Sequence, residues 1–434
     1  MKKTEEIIRE IKNLVNTRGY IYALCMILFE DFYINPEKIQ EINYAKRLST
    51  KEVSLLLGFF IQKEIDFSTP DTPKDLIQLK QKTYELMEAL HRSFMIPFIK
   101  KIKKSLKKSY KIENFRTEQK EFFGKGDILR EPIFYSGTGV YDFQYLDFLE
   151  KKYKYDKNWL LESKNFSIEQ TKNIATQTKI ILQEKAQKVR LYDLKEKLPQ
   201  MIKTMKKKKP KEDWEKRAKE ILPIMELHQY VELFFDHING ENLGLDEIRE
   251  EGWKSFYESL IDLFVIKRSD FDNGLNIDKF FNNFSISFTN NLNSQFQTIG
   301  NYNLINSHPI IKLDEKRYFV PTTFLLFEAV YESPFYWMME NSEYKNQAAQ
   351  NRGKVGEEIV YEFLLKVFGE NRTFKSVKIT TKKGQDDTDI DILCVLGSKA
   401  LCIQVKSKKL TELSRTGDDE HLQTDFQGAV QDAY

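Results

Sequence analysis

The stretch "DDTDIDILCVLGSKALCIQVKSKK" (residues 386–409) contains two short apolar segments joined by Gly397-Ser398-Lys399. Val, Ile, Leu and Cys dominate both segments, which is typical of β-strands, and the Gly-Ser-Lys sequence indicates a tight turn. Successive side chains of a strand point to opposite faces of a sheet. The stretch therefore predicts an antiparallel hairpin with one polar face and one apolar face.

The polar face of this hairpin would carry acids on one strand and an amide and an amine on the other. The acids alternate along the first strand: Asp387, Asp389, Asp391. Gln404 and Lys406 share a face of the second strand, so an antiparallel hairpin could set Asp391 beside both. The apolar side chains of the second strand would point into a core: Leu401, Ile403, Val405.

A helix predicted over about residues 351–368 precedes the hairpin and contains "GKVGEEIVYEFLLKVFG" (353–369). Glu357 and Glu358 fall near the predicted helix start, where the positive end of the helix dipole favours acids. The alternative is that Glu357 completes a polar cluster with the hairpin. "TFKSVKIT" predicts a further strand between helix and hairpin, and "HLQTDFQGAVQDAY" predicts a final helix.

Carboxylate and amide oxygens at such a cluster are hard ligands that suit Mg²⁺ or Mn²⁺. A lysine beside the metal can orient the attacking water and offset phosphate charge. Each part also has an ordinary explanation. Alternating acids can be a solvated edge-strand face, and "VKSKK" can be a basic strand end.

The order of these residues resembles the PD-(D/E)xK nuclease superfamily, in particular its Mrr-like and nuclease-related (NERD-type) branches. Glu357 matches the helix acid, Asp391 the strand acid, and Gln404 and Lys406 the final pair. The choice between Glu357 and Glu358 is open: Glu357 fits the family spacing, and the alternative role of Glu358 is only to support the helix dipole. The resemblance covers about residues 345–434. It implies an α/β domain with a central mixed sheet, a divalent metal, and hydrolysis of phosphodiester bonds.

Two features depart from the family pattern. The proline that precedes the family's aspartate is absent, and Thr388 and Ile390 flank Asp389 instead. The family core also continues with a completed helix and a further strand, whereas this sequence ends at Tyr434. We expect either that the polypeptide continues or that the sheet closes differently.

Length and composition limit the number of domains, the partners and the location expected for the whole chain. At 434 residues, two or three domains are expected. Lys and Arg number 68 against 65 Asp and Glu, so the overall charge does not indicate a nucleic-acid partner. The chain has three cysteines and neither a signal peptide nor an apolar run of membrane-spanning length, which predicts a cytoplasmic protein without a membrane partner.

The N-terminal part of the chain predicts mainly helices. We expect a helical region over residues 1–125 and a second, mainly helical region over 126–345. The second contains a short irregular or stranded insert at 130–153, a helix at 253–266, and a strand, turn and helix at 307–339. The nuclease-like domain would follow at 346–434. The predicted fold class is α+β overall.

Two groups of lysines are candidates for contacting nucleic acid. The first lies on a predicted basic helix face, and the second follows the hairpin: Lys103, Lys104, Lys107, Lys108, Lys408, Lys409. Phosphate contacts by such residues would be sensitive to salt. Solvated surface lysines are the alternative.

These observations predict a Mg²⁺- or Mn²⁺-dependent endonuclease acting on nucleic acid, with DNA favoured over RNA. Glu357, Asp391, Gln404 and Lys406 are the predicted catalytic residues, and the first three are the predicted metal ligands. By analogy with the family, a regulated effector of bacterial defence against phage or foreign DNA is expected. A regulatory protein partner or a homo-oligomer is also considered. The alternative is a non-catalytic nuclease-fold module that binds nucleic acid or a protein.

Overall fold

The computed structural model describes residues 2–33, 47–107, 140–188, 256–272, 275–289, 291–382, 385–407 and 419–429. It also describes isolated residues at 202–204, 206–207, 213–214, 216, 254, 411 and 414. The chain is α+β overall, with helices and two separate β-sheets in this part. None of the described helices has the length and apolar character needed to span a membrane.

Four helices open the chain and form most of one core. They are α1 (Thr4–Val15), α2 (Tyr20–Phe32), α3 (Thr50–Phe60) and α4 (Pro73–Lys107). α2 is apolar and buried except in its last turn, which carries Glu30 and Asp31, as expected of a helix inside a core, and α1 and α4 pack against it. The predicted helices within residues 1–125 are confirmed at α1 and α4.

Three further helices follow: α5 (Asp142–Lys152), α6 (Lys157–Lys164) and α7 (Ile168–Lys188). The prediction of an irregular or stranded insert at 130–153 is wrong over α5, which is a helix. Residues 130–139 lie outside the described residues. The aromatic residues of this stretch suggested strands. Their spacing nevertheless fits a helix, because Tyr145, Leu146 and Leu149 share its buried face.

A small mixed sheet follows in the order β1-β4-β3-β2. Its strands are β1 (Val265–Lys267), β2 (Ser285–Ile286), β3 (Ile310–Lys312) and β4 (Arg317–Phe319). β2 and β3 are parallel and the other pairs antiparallel. Helix α8 (Ile277–Phe284) precedes β2, and α9 (Thr323–Glu340) follows β4.

This sheet confirms one prediction and corrects another. The strand, turn and helix expected at 307–339 correspond to β3, β4 and α9. The helix predicted at 253–266 extends too far. Val265 and Ile266 instead belong to β1, where they pair with Phe319 and Tyr318. An apolar run of this kind does not by itself distinguish a helix end from a buried strand.

Tyr153, immediately after α5, supports α9 where its backbone pairing is interrupted. Pro334 lies inside α9 and has no N–H to donate. The Tyr153 hydroxyl donates to the Tyr331 carbonyl at 2.6 Å and accepts from the Phe335 N–H at 3.1 Å. These are the two groups that an uninterrupted helix would pair, so the hydroxyl is inserted into the helical ladder.

The C-terminal part begins with the long helix α10 (Lys345–Phe368). A three-stranded antiparallel sheet follows, in the order β5-β6-β7: β5 (Thr373–Lys382), β6 (Gln385–Leu396), β7 (Lys399–Ile403). A last helix, α11, spans Asp419–Ala429. α10 contacts β5 and β6 on one side and α5 and α9 on another, so it belongs to both parts of the chain.

The predicted hairpin is confirmed, because Leu396 pairs with Lys399 across Gly397-Ser398 and Gly397 adopts a φ of +60°. Three details differ from expectation. α10 begins six residues earlier than predicted. The described C-terminal sheet is antiparallel, and mixed pairing occurs only in the first sheet among the described strands. Leu401 is 48% exposed rather than buried.

We expect Tyr153→Phe to lower the free energy of unfolding by about 1–3 kcal/mol, because the Phe335 N–H of α9 loses its acceptor, while the Tyr331 carbonyl still accepts from the Lys152 Nζ at 2.8 Å. Tyr153 is 1% exposed, so water cannot readily replace its hydroxyl. Urea unfolding measures the change. Tyr141→Phe is the control, since Tyr141 is highly exposed and a surface change of this kind stays within about 0.5 kcal/mol. Equal effects of the two variants would contradict the role assigned to Tyr153.

Candidate functional site

The candidate site lies where β7 ends beside β6. Ile392 and Ile403 are the last paired residues at this end of the hairpin. Beyond them the side chain of Gln404 continues the pairing in place of the backbone. Its Oε1 accepts from the Asp391 N–H at 3.2 Å, and its Nε2 donates to the Asp389 carbonyl at 2.9 Å. Gln404 therefore holds the strand end and lies beside Asp391, as the sequence predicted.

The Asp391 side chain also bonds across this end of the hairpin, to the backbone of the second strand. Its Oδ2 accepts from the Val405 N–H at 2.6 Å. Oδ1 of Asp391 makes no hydrogen bond within the described part of the chain. Carboxylates keep several acceptor positions when ionised, so Asp391 can secure the hairpin and still coordinate a ligand.

α10 approaches this strand end at Gly356. A Cβ atom added to Gly356 would lie 2.6 Å from the Ser407 Oγ and 3.5 Å from a Val405 methyl group. Ser407 also donates from Oγ to the Arg352 carbonyl at 3.2 Å. The residue after Gly356 is Glu357, so this close approach brings the Glu357 carboxylate towards the acids of β6.

The Glu357 carboxyl lies in a negative field. Its pKa is raised above the usual value, first by burial and then by the charges of Asp391 and Asp389. The Lys375 ammonium acts in the opposite direction. The ionised form of Glu357 on α10 is therefore disfavoured by burial and by the negative charges of two strand carboxylates.

Glu358 points elsewhere, to the loop after α5. Its Oε1 accepts from the Tyr155 hydroxyl at 2.6 Å, and its carboxylate also pairs with Lys154. Burial alone would raise the pKa of Glu358, but these two contacts outweigh it and lower the pKa. The helix-start explanation for both acids is wrong, because Glu357 and Glu358 lie in the middle of α10, far from its positive end.

The remaining predicted residues are less completely placed. Lys406 is exposed just beyond β7 and makes no hydrogen bond or ion pair with the described residues. Asp387 lies within β6, but its side chain is not described. Lys103, Lys104 and Lys107 lie in α4 without described side chains, and Lys108, Lys408 and Lys409 are outside the described residues.

The sequence prediction missed Lys375 on β5. Its Nζ lies 4.5 Å from the centre of the Tyr361 ring of α10, and its charge acts on Glu357. The lysines in "TFKSVKIT" were the available signal, but a lysine on an edge strand is also typical of surfaces. Ser376 follows with a φ of +49°, a strained value for a residue other than glycine.

The donor set suits a hard divalent cation, with carboxylates from Glu357, Asp389 and Asp391 in one electrostatic neighbourhood. Among the described residues, however, no three His, Cys, Asp or Glu side chains are grouped closely enough to hold a metal ion. Mg²⁺ commonly binds through one or two carboxylates together with water and substrate phosphates. The described carboxylates could therefore supply one or two ligands to such an ion, but they do not form a closed protein cage.

A comparison with protein-family models finds no match to the chain, and comparisons with curated proteins and with solved structures find no significant match either.

We expect Glu357→Gln to raise the thermal midpoint by about 1–3 °C at pH 8. A carboxyl whose pKa is raised in the folded state costs stability when it is ionised, and the cost disappears below its ordinary pKa of 4.5. The gain should therefore shrink as the pH falls towards 4.5. A scanning calorimetry series against pH measures it.

The neighbouring variant Glu358→Gln provides a control of opposite sign. The pKa of Glu358 is lowered, so its charge stabilises the fold above its ordinary pKa, and its loss should lower the midpoint at pH 8. Shifts of the same sign for both variants would show that Glu357 and Glu358 do not have distinct surroundings.

We expect Gln404→Ala to increase hydrogen exchange at the Asp391 amide about tenfold, because that N–H loses its acceptor. Hydrogen–deuterium exchange with mass spectrometry of peptides covering residues 389–393 measures the change. Gln423→Ala, on the exposed side of α11, should leave these peptides unchanged. Unchanged exchange in Gln404→Ala would contradict the pairing role of this side chain.

Proposed function

We propose that residues 346–434 form a nuclease-like domain that hydrolyses phosphodiester bonds of nucleic acid, with DNA as the favoured substrate. The proposal is supported chiefly by the convergence of Glu357 on the acids of β6. The pKa of Glu357 is raised first by burial and then by the charges of Asp391 and Asp389. Carboxyl groups whose pKa values are shifted by burial and by nearby charges are common at sites that bind cations or transfer protons.

The proposal assigns a role to each residue of the hairpin end. Asp391 and Glu357 would hold Mg²⁺ or Mn²⁺, and Asp389 would add to the local negative charge. Such an ion, when bound, would polarise the phosphate and lower the pKa of a coordinated water. Gln404 would keep Asp391 in place through the Asp391 N–H and the Asp389 carbonyl.

Lys406 would act on the substrate side of the site. Its exposed ammonium has three donors that can hydrogen-bond a phosphate oxygen or orient the attacking water. A positive charge at this position would also stabilise the charge that develops on the phosphoryl oxygens. In the proposed scheme Lys406 makes no contribution to the fold.

The helices that precede α10 would control this activity, as expected of a defence effector in which a separate sensing part regulates a nuclease. The contacts of Glu358 with Lys154 and Tyr155 support such a link, because they join the N-terminal part to the helix that carries Glu357.

The second candidate is a non-catalytic module that binds nucleic acid or a protein through the same fold. It is favoured by the absence of a ready metal cluster among the described side chains. It is also favoured by the use of Gln404 and Asp391 in hairpin hydrogen bonds, which gives these residues a structural purpose.

Incubation of plasmid DNA and of RNA with the protein and Mg²⁺ or Mn²⁺ separates the two candidates. We expect metal-dependent product that falls by about 10²-fold or more in Asp391→Asn and in Lys406→Ala. Lys399→Ala is the matched control, because Lys399 is exposed at the far end of β7 beside the turn. It should cleave at the native rate.

Undiminished cleavage in Asp391→Asn and Lys406→Ala would remove these residues from the proposed site. Binding of nucleic acid without product from the native protein under any metal condition would favour the non-catalytic module.

A further inference from the structure

Three lysines surround the turn of α10 that carries Glu357 and Glu358. Lys354 precedes them on the same helix, Lys154 comes from the loop after α5, and Lys375 comes from β5. We call Lys154, Lys354 and Lys375 the lysine rim. Since residues three or four apart are neighbours on a helix, Lys354 lies beside both glutamates.

Each ammonium of the rim lies near an aromatic ring. The Nζ atoms of Lys354 and Lys154 lie 4.2 Å and 4.7 Å from the centre of the Tyr155 ring. That of Lys375 lies 4.5 Å from the centre of the Tyr361 ring. These cation–π contacts restrain long side chains that would otherwise lose much conformational freedom on binding a ligand.

The ring contacts leave hydrogen-bond donors for a ligand. Within the described part of the chain, Lys354 and Lys375 make no hydrogen bond to an acceptor. Lys154 pairs with Glu358, which anchors it at the boundary between the N-terminal part and α10. Lys375 and Lys154 are also near enough to the glutamates to act on their pKa values.

We infer that the lysine rim binds the phosphate backbone of a nucleic-acid strand and leads it from the N-terminal part across α10 to the acids of β6. This inference rests on the proposed function for the class of its substrate. Positive charge beside the proposed metal ligands, Glu357 and Asp391, suits the binding of a phosphodiester. The lysines contact the phosphates, and a divalent cation offsets repulsion between phosphate and carboxylate.

Phosphate is preferred over an acidic peptide by the same chemistry. A Mg²⁺ site built from one or two carboxylates is completed by phosphate oxygens and water. Because Lys154 and Tyr155 belong to the N-terminal part of the chain, that part would contact the substrate directly. Cleavage chemistry would remain with the residues at the end of the hairpin.

Fluorescence anisotropy with labelled single-stranded and duplex oligonucleotides tests the rim in the full chain. Titrations are made over a range of salt concentrations, once with EDTA and once with Ca²⁺. Each of Lys354→Gln and Lys375→Gln should reduce the slope of log affinity against log salt by about 0.7–0.9, the value for one lost phosphate contact.

Two control variants locate the effect. Lys151→Gln removes an ion pair with Glu362 at the same boundary, but Lys151 is not part of the rim, so its salt slope should stay native. Lys316→Gln, an exposed lysine before β4, should also bind as the native protein does. A loss of slope in Lys151→Gln equal to that in the rim variants would overturn the assignment.

The remaining outcomes decide between this inference and the proposed hydrolysis. The inference that the lysine rim binds phosphate would be overturned if both rim variants kept the native slope of log affinity against log salt. It would also be overturned if the native chain showed no salt-dependent binding in either titration. Polyglutamate that carries the same charge as the oligonucleotide and competes equally well for binding would overturn the inference too. Rim-dependent binding without metal-dependent product would support phosphate binding by the rim and reject the proposed hydrolysis. Metal-dependent product with native salt slopes in the rim variants would support hydrolysis and reject phosphate binding by the rim.

Discussion

Helix α10 is the constraint on which the rest of the candidate site depends, because it packs against both parts of the chain. Successive residues of an α-helix point about 100° apart, so Glu357 and Glu358 can serve different partners. Glu358 is held by Lys154 and Tyr155, whereas Glu357 faces the acids of β6. The rotation of one helix about its axis thus determines which acid reaches the hairpin.

That rotation is fixed by contacts on opposite sides of the helix. On the hairpin side, Gly356 lies too close to Ser407 to accommodate a larger side chain without movement. On the other side, the buried carboxylate of Asp156 accepts from Tyr344 at 2.8 Å and from Asn351 at 2.7 Å. Displacing either contact would alter the distance between Glu357 and Asp391, although neither contact involves an acid of the candidate site.

The end of the hairpin shows why structural and functional explanations of the same residues are compatible. Gln404 completes the sheet with its side chain, and Asp391 accepts a backbone N–H. These bonds restrain the two side chains at the end of the hairpin. At the same time, burial and the charges of Asp391 and Asp389 raise the pKa of Glu357, so its ionised form is unfavourable in the protein alone.

Much of the C-terminal arrangement could be predicted because its signals are local. The Gly-Ser turn and the strand-like segments determine the hairpin, and the period of two places Asp391 and Gln404 next to each other. Errors arose where local patterns permit two answers. The aromatic residues of α5 were compatible with strand or helix, and the true start of α10 lay in a polar stretch without a strong capping signal.

The sequence by itself determined the hairpin and the placement of Asp391 beside Gln404, because a strand's alternation and a tight turn depend only on neighbouring residues. Only the tertiary structure decided that Glu357 rather than Glu358 faces the strand acids, and that Tyr155 and Tyr361 support lysines beside them. Those relations join segments far apart in the chain. They follow from packing and burial, which no local pattern of residues encodes.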